Sequence, residues 1–503
     1  MNSKREYGDY QTPLEFARKV CEYLKDVKRI SPDVVIEPTC GVGAFLKASI
    51  IFNAEEYYGI EINPKYCEMV QESSADDRVQ IINADLFSYP LKNIIKRNKS
   101  TLIIGNPPWV TSSTISALSA TNMPSKSNFK KLRGIEAMTG AGNFDICENM
   151  IWKIISEYRS SNTTVAMLCK TTVARNIFEL IQKDGISCAS CDMLEFDARE
   201  VFGISASACL LVVQLSADNR TTATCNVYDF EYPEQIKSSI CYNNHKISNI
   251  LSKNQYDFDG KCCFEWRQGV KHDCAKIMEI SSENNQLKNG YKEIVIIEDT
   301  FLFPLVKSSM FKNPIIAEFS KQVIVTQKKI KEDTEYLRDV APQMWNYLEK
   351  NREAFLKRKS KIYDGTPEFS IFGVGTYSFA RYKVGVSGFY KKPMFSLLYS
   401  DNKPVMVDDT SYFIGFDDYD MAYVTMLLLN NDKVQEFLSG IAFLDAKRPY
   451  TKKVLARIDF HKILENMDIS DILETEEKLG LDRYASEDMY LLYKKALEER
   501  RVA

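Results

Sequence analysis

Histidine is almost absent, with three residues in 503. That scarcity argues against a zinc centre, since imidazole is the commonest metal ligand. One ligand-spaced pair exists, Cys188-Ala189-Ser190-Cys191, and no second pair completes it; Cys262 and Cys263 near His272 and Cys274 do not form a recognised set either. No metal is expected. Also missing is any stretch approaching the roughly 20 apolar residues a membrane helix needs. The longest, Met421 to Leu429, has the length of a buried core helix. The opening residues Met1-Asn2-Ser3-Lys4-Arg5-Glu6-Tyr7 lead into no apolar stretch, so a cytoplasmic location with no membrane partner is expected. The thirteen cysteines are scattered and odd in number, which suits reduced thiols better than a disulfide framework. Nor does net charge point anywhere: 65 Lys and Arg against 68 Asp and Glu give −3, so any basic surface must be local.

What is present divides in two. A chain of 503 residues exceeds one ordinary core, and two to three domains are expected. Up to about residue 215, short apolar runs alternate with helix-length amphipathic segments, the pattern of β-α units feeding a mostly parallel sheet. Strands are predicted at Val34–Ile36, Tyr57–Ile62, Val79–Ile82, Thr101–Ile104, Thr164–Cys169 and Cys209–Leu215. Helices are predicted at Ala44–Phe52, Pro64–Glu72, Phe144–Tyr158 and Val173–Lys183, and an amphipathic stretch, Pro13 to Leu24, precedes them all. Between Val110 and Asn143 lies a long stretch rich in Ser, Thr, Asn and Gly; loops of this length in compact domains are usually functional or mobile. From Ser216 the composition shifts to Asn, Ser, Tyr and Lys, with strands predicted at Glu293–Ile297 and Lys321–Thr326 and helices at Met421–Leu429 and Asp471–Arg501. The expected domains are therefore 1–215 and 216–503.

The chemistry concentrates at strand ends. The first strand runs into Glu37-Pro38-Thr39-Cys40-Gly41-Val42-Gly43, a G-x-G turn opening a helix, where glycine allows close approach of a ligand to the backbone. Glu61 ends the next strand twenty residues past Gly41, a spacing that suits a carboxylate accepting both ribose hydroxyls of an adenosine-containing cofactor. No phosphate-loop lysine follows and no third glycine completes the dinucleotide fingerprint, so a nucleoside without pyrophosphate fits better. The third strand ends in Asp85-Leu86-Phe87, an acid for an adenine amino group with apolar neighbours for its ring. The fourth ends in Asn106-Pro107-Pro108-Trp109. Two prolines stop the ladder and stiffen the turn, offering the Asn106 amide and the Pro107 carbonyl as two acceptors. An exocyclic aromatic amine is a poor nucleophile because its lone pair is delocalised, and two acceptors on its two hydrogens favour a pyramidal, reactive nitrogen. Trp109 offers a flat face for a base taken out of its stack.

Taken together, Glu-Pro-x-Cys-Gly-x-Gly at 37–43, Gly-Ile-Glu-Ile-Asn-Pro at 59–64, Ala-Asp-Leu-Phe at 84–87 and Asn-Pro-Pro-Trp at 106–109 resemble motifs I to IV of the S-adenosylmethionine-dependent DNA amino-methyltransferases. Gln11-Thr12-Pro13-Leu14-Glu15-Phe16 is similar to that family's motif X, and its N-terminal place marks the gamma group. The resemblance implies a Rossmann-like, seven-stranded α/β catalytic sheet followed by an α+β target-recognition domain with a helical C-terminus. It implies S-adenosylmethionine held by Thr12, Glu37, Thr39, Gly41, Gly43, Glu61, Ile62, Asp85, Leu86 and Asn106. It further implies a target amine held by Asn106 and Pro107, beside Pro108, with Trp109 stacking on the base. Phe144-Asp145 and Val201-Phe202-Gly203 match later motifs loosely, with Phe202 as a candidate for a second aromatic against the base. The Asn-Pro-Pro-aromatic form favours adenine. No Pro-Cys dipeptide occurs, so covalent ring-carbon methylation of cytosine lacks its nucleophile.

By this resemblance the partner is double-stranded DNA in a cleft between the two domains, with a flipped adenine methylated by a monomer and a cognate restriction endonuclease acting on the same site. The interval 371–400 carries Arg381, Lys383, Lys391 and Lys392 and no acid, interleaved with aromatics and glycines, and reads as the first candidate for contact with nucleic acid. A solvated strand edge is the competing reading of the same interval. Segments 266–273 and 447–453 also resemble parts of restriction-modification methyltransferases. Two other functions stay open at this point: the same chemistry on an RNA adenine or a protein glutamine, and a DNA-binding protein on a degenerate methyltransferase fold.

Overall fold

The computed structural model describes residues 11–74, 76–94, 99–110, 145–159, 161–218, 221–243, 246–249, 256–284 and 286–502. The Val110–Asn143 stretch lies outside them from residue 111 onward, as does Phe144. The chain divides into two compact units, Met1–Leu251 and Ser252–Ala503.

In the first unit β1 (Val34–Glu37) is buried along its whole length, the continuous apolar reading of a strand covered on both faces. It pairs in parallel with β2 (Glu56–Glu61) on one side and β4 (Thr101–Gly105) on the other. Beyond β2 lies β3 (Val79–Asn83), and beyond β4 lies β5 (Thr163–Lys170), both again parallel. β7 (Ser207–Leu215) is antiparallel to β5, and β6 (Cys188–Asp197) is antiparallel to β7. The order 3-2-1-4-5-7-6 supplies the seven expected strands.

The sheet does not stop there. β8 (Thr224–Asp229) joins β6 in parallel, and β9 (Tyr232–Asn243) and β10 (Lys246–Asn249) follow antiparallel, giving ten strands in one sheet. This corrects the boundary expected at residue 215 to residue 251, because the ladder carries the chain across the change in composition. β9 has one buried residue among its twelve, so hydrogen bonding to a neighbour, and not an apolar stripe, defines it.

The helices fall near their predicted places: α1 (Leu14–Glu22), α2 (Ala44–Ser49), α3 (Pro64–Ser73), α4 (Ile146–Tyr158) and α5 (Thr171–Lys183), with α6 (Ala198–Phe202) between β6 and β7. At the start of α3 the Asn63 side chain accepts the Lys65 N–H and Pro64 takes the first turn, so an orphan donor is met and no N–H is lost.

The second unit holds two five-stranded sheets. One runs Arg267–Gln268, Ser411–Phe416, Tyr382–Ser387, Ser396–Leu398 and Ile315–Ile316 in spatial order. It packs with helix Tyr419–Asn430 around Trp266, Phe395 and Leu427. A second cluster gathers Val323, Met344, Trp345 and Phe369. The strand expected at 293–297 is an extended segment carrying the single bridge Lys288↔Ile294. The helix expected over 471–501 is two, Ile469–Lys478 and Glu487–Val502, and Gly480 at φ +67° lies just past the end of the first. All thirteen cysteines carry free thiols. Among the described residues no helix is long and apolar enough to cross a membrane.

Candidate functional site

Because β1 to β5 run in parallel, their carboxyl ends lie along one edge, and the order reverses between β1 and β4. Loops leaving adjacent strands at such a switch point part to opposite faces and leave a crevice. The turn after β1, the ends of β2 and β3, and the Asn106–Trp109 turn after β4 all emerge at this edge. It therefore gathers Thr39, Gly41, Gly43, Glu61, Ile62, Asp85, Leu86, Asn106, Pro107, Pro108 and Trp109.

Gly41 and Gly43 stand at φ +51° and +74°, a backbone conformation that favours glycine. Both oxygens of Glu61 accept main-chain N–H groups: Oε2 from Gly41 at 2.9 Å and Oε1 from Asn63 at 2.8 Å. The Asn83 amide donates to the carbonyls of Glu61 and Ile62 at 2.9 and 3.2 Å, joining the end of β3 to that of β2. Ile62 is 52 % exposed at this edge. Asp85 Oδ1 accepts the Phe87 N–H at 2.9 Å, shaping its own turn, and Leu86 beneath it is buried.

Two expected residues behave differently. Glu37 is buried and accepts the Leu46 N–H at 2.9 Å, with the Phe45 N–H as a further donor, so it caps the first turn of α2 and does not stand at the open edge. Burial holds its carboxyl well above the usual range despite those two donors. Trp109 is only 8 % exposed: its ring N–H donates to the Leu168 carbonyl at 3.2 Å, and the Phe202 ring meets it edge-on at 5.5 Å. The open flat face expected from the sequence is in fact a buried wall. Phe202 itself is half-buried beside it.

Two residues of the motif X segment to which the sequence assigned no role of their own, Gln11 and Phe16, help hold this edge together. Gln11 Oε1 accepts the Val42 N–H at 3.2 Å and lies against Gly41, tying the Gln11-Thr12-Pro13 segment to the glycine turn. Phe16 of α1 packs against Phe196 and Phe230 at 5.0 and 5.2 Å and against Phe202 at 6.4 Å, so α1 reaches the neighbour of Trp109. Aromatics spaced so far apart in the chain give no local signal.

In the second unit, three segments that the sequence offered as separate candidates meet. Lys271 and Phe372 exchange main-chain hydrogen bonds at 2.8 Å. A Cβ on Gly269 would lie 2.1 Å from the Val407 carbonyl oxygen, and one on Gly373 the same distance from that of Gly269, so both glycines are required by close backbone approach. Arg267 lies over the Tyr377 ring at 4.4 Å and Arg448 over Phe389 at 5.1 Å, while the Tyr450 hydroxyl donates to the Lys391 carbonyl at 3.1 Å. Segments 266–273, 371–392 and 447–453 thus form one assembly, on which Arg381, Lys391 and Lys392 are exposed. Lys383 is not: it is 1 % exposed, its ammonium donating to the Ala380 carbonyl at 2.8 Å, which corrects its expected contact with nucleic acid.

No family model matches the chain. It is 39 % identical over 468 residues to the type II methyltransferase M.NspV of a Nostoc species, covering 91 % of this chain and 97 % of that protein. The chain belongs to the type II methyltransferases. Among solved structures, this methyltransferase is similar to the type I restriction-modification methyltransferase subunit of Streptococcus thermophilus, at 14 % identity over 48 % of this chain and 52 % of that one, with a TM-score of 0.32. It is also similar to the ATP-dependent Type ISP restriction-modification enzyme LlaBIII, at 11 % identity over 80 % of this chain and 33 % of that one, with a TM-score of 0.42.

Burial pushes the Lys383 ammonium down from 10.5 to about 7. Between those values the unfolded chain holds the proton and the native state does not, so stability falls as pH drops through the window and levels off below it. Lys383→Met removes this penalty. Its melting temperature relative to wild type is expected to rise as pH is lowered from about 10 to about 7 and to change little below; a pH-independent difference would show that the ammonium is not buried.

Proposed function

We propose that this type II methyltransferase is a site-specific DNA methyltransferase of the gamma group, which transfers the methyl of S-adenosylmethionine to the exocyclic amine of an adenine flipped out of duplex DNA, as the modification enzyme of a restriction-modification system. The observation that carries this reading is the placement of the Asn106-Pro107 acceptors at the end of β4, beside the glycine turn of β1 at the switch point.

The edge fits the cofactor. The Thr39 hydroxyl oxygen is buried with no hydrogen-bond partner among the described residues, an orphan at the glycine turn. A carboxylate has about four acceptor positions, and Glu61 uses one on each oxygen for main-chain N–H, which leaves a position on each for a ribose hydroxyl. Ile62 and Leu86 supply apolar surface for the adenine ring and Asp85 an acceptor for its amine, while Thr12 approaches on the segment that Gln11 ties down. Glu37 serves by shaping the turn. When bound, S-adenosylmethionine supplies a methyl group made electrophilic by its sulfonium.

The chain's own part is to prepare the amine. Asn106 and Pro107 accept its two hydrogens, withdraw the lone pair from the ring and aim it, and the two prolines keep both acceptors fixed so that little reorganisation is needed as charge develops on nitrogen. Trp109 is the wall against which the base comes to rest, and its ring has to be uncovered as the base enters; Phe202 is the second aromatic there. Arg381, Lys391 and Lys392 are proposed to meet DNA phosphates.

Sequencing native genomic DNA from cells with and without the gene tests the function as a whole: methyladenine at one motif is expected only with it, whereas methylated RNA or glutamine, or no methylation, would replace this reading. Asn106→Ala is expected to lower turnover by about two to three orders of magnitude in a labelled-methyl assay, with duplex affinity within about twofold, since the amide acts in the transition state. Near-normal turnover would exclude the mechanism. In calorimetric titration Glu61→Ala should weaken S-adenosylmethionine about 30-fold or more, a loss of about 2 kcal/mol; an unchanged dissociation constant would remove the ribose role. Replacing Lys391 and Lys392 together by alanine should flatten the salt dependence of duplex binding by up to about one unit per lost phosphate contact, for matched and scrambled duplexes alike. Identical slopes would return that surface to a solvated strand edge.

A further inference from the structure

One cation at the same edge has no part in the chemistry above. Lys170, the last residue of β5, sends its ammonium to Asp145 Oδ2 at 2.6 Å and to within 3.4 Å of the Trp109 main-chain oxygen. The pair is enclosed, its side chains 28 % and 11 % exposed, so it is screened less than a surface ion pair. Asp145 is itself held, because its Oδ1 caps α4 by accepting the Cys147 N–H at 3.1 Å. Next to it the Ile146 N–H donates to the Val110 carbonyl at 2.9 Å.

Trp109 is thereby gripped twice by one strand. The Leu168 main-chain carbonyl takes the ring N–H, and the side chain of Lys170, two residues on, reaches the main-chain oxygen. Pro108 separates Trp109 from the Pro107 acceptor, and Pro107 separates Pro108 from Asn106, so two fixed φ angles limit the freedom of the turn. A force at Trp109 is therefore felt at Pro107 and Asn106. A carboxylate and a carbonyl together require a donor with more than one N–H, which an ammonium provides and an apolar side chain of equal length does not.

We infer that Lys170 is a positioning residue for methyl transfer: by joining the Asp145 carboxylate to the Trp109 carbonyl, it sets the Asn106–Trp109 turn where the two acceptors meet the amine. This rests on the amine-methylation reading of the site. In the full-length protein, Lys170→Met is expected to slow single-turnover methylation of a cognate duplex about tenfold or more, while the dissociation constants for S-adenosylmethionine and duplex stay within about twofold and the melting temperature within a few degrees. Lys170→Arg should recover most of the rate, and adding Asp145→Asn to Lys170→Met should cost little more than the single change, because both remove one contact. Independently of activity, Lys170→Met should change tryptophan emission in the wild-type background and leave it unchanged in a Trp109→Phe background. The inference is overturned if Lys170→Met turns over normally, if stability and both affinities fall in step with the rate, or if the emission change survives without Trp109. Should the wild type methylate no DNA while the Trp109-dependent emission change appears, the tether stands and the proposed function fails.

Discussion

Both oxygens of Glu61 are engaged by main-chain N–H groups, one from the glycine turn after β1 and one from the loop after β2. This bidentate clamp ties the two loops together, beside the Cys40 N–H to Ile60 carbonyl bond at 2.9 Å. It requires Gly41 in a left-handed conformation, so that its N–H faces the neighbouring strand, and it requires Asn63 to begin α3. Asn83 extends the clamp to β3 through the carbonyls of Glu61 and Ile62. Loosening the carboxylate would release the glycine turn and the loop after β2 from their shared anchor, while the link to β3 runs through main-chain carbonyls.

The other side of the switch point is organised by a different means. There the Asn106–Trp109 turn is stiffened from within by two prolines and anchored from outside by β5, through the Leu168 carbonyl and the Lys170 ammonium. Aromatic packing then runs from Trp109 through Phe202 to Phe16, whose helix follows the segment that Gln11 fastens to the glycine turn. The two halves of the edge are thus mechanically joined by apolar contact as well as by the sheet.

In the second unit, aromatic rings act together with ion pairs and carbonyl acceptors in ordering two of the long cationic side chains: Arg267 also pairs with Glu265, and Arg448 also donates to the Asp409 carbonyl. Arg267 on Tyr377 and Arg448 on Phe389 have one face covered by a ring and their N–H edges left for other partners. The glycines at 269 and 373 allow the backbones of two segments about a hundred residues apart to touch. That contact joins two of the basic stretches, and Tyr450 and Arg448 join the third to them.

Much of the first unit was legible in the residues. Continuous Val and Ile runs reveal strands buried on both faces, and the acids and Asn-Pro-Pro-Trp at their ends announce the edge, because parallel β-α units put every carboxyl end on the same side. β8 to β10 were not legible: they carry few buried residues and are defined by pairing in series, β8 on β6, β9 on β8 and β10 on β9. Nor was the direction of individual side chains. Glu37 and Glu61 both end buried strands, yet one caps α2 from the interior and the other clamps two loops, and Lys383 sits among exposed cations in the sequence but is interior in the fold. Residue order determined the type of fold, the residues at the strand ends and the family; tertiary structure alone decided the tenth strand, the union of the three basic segments and the grip of Lys170 on Trp109, since each depends on a contact between residues distant in the chain that no local period encodes.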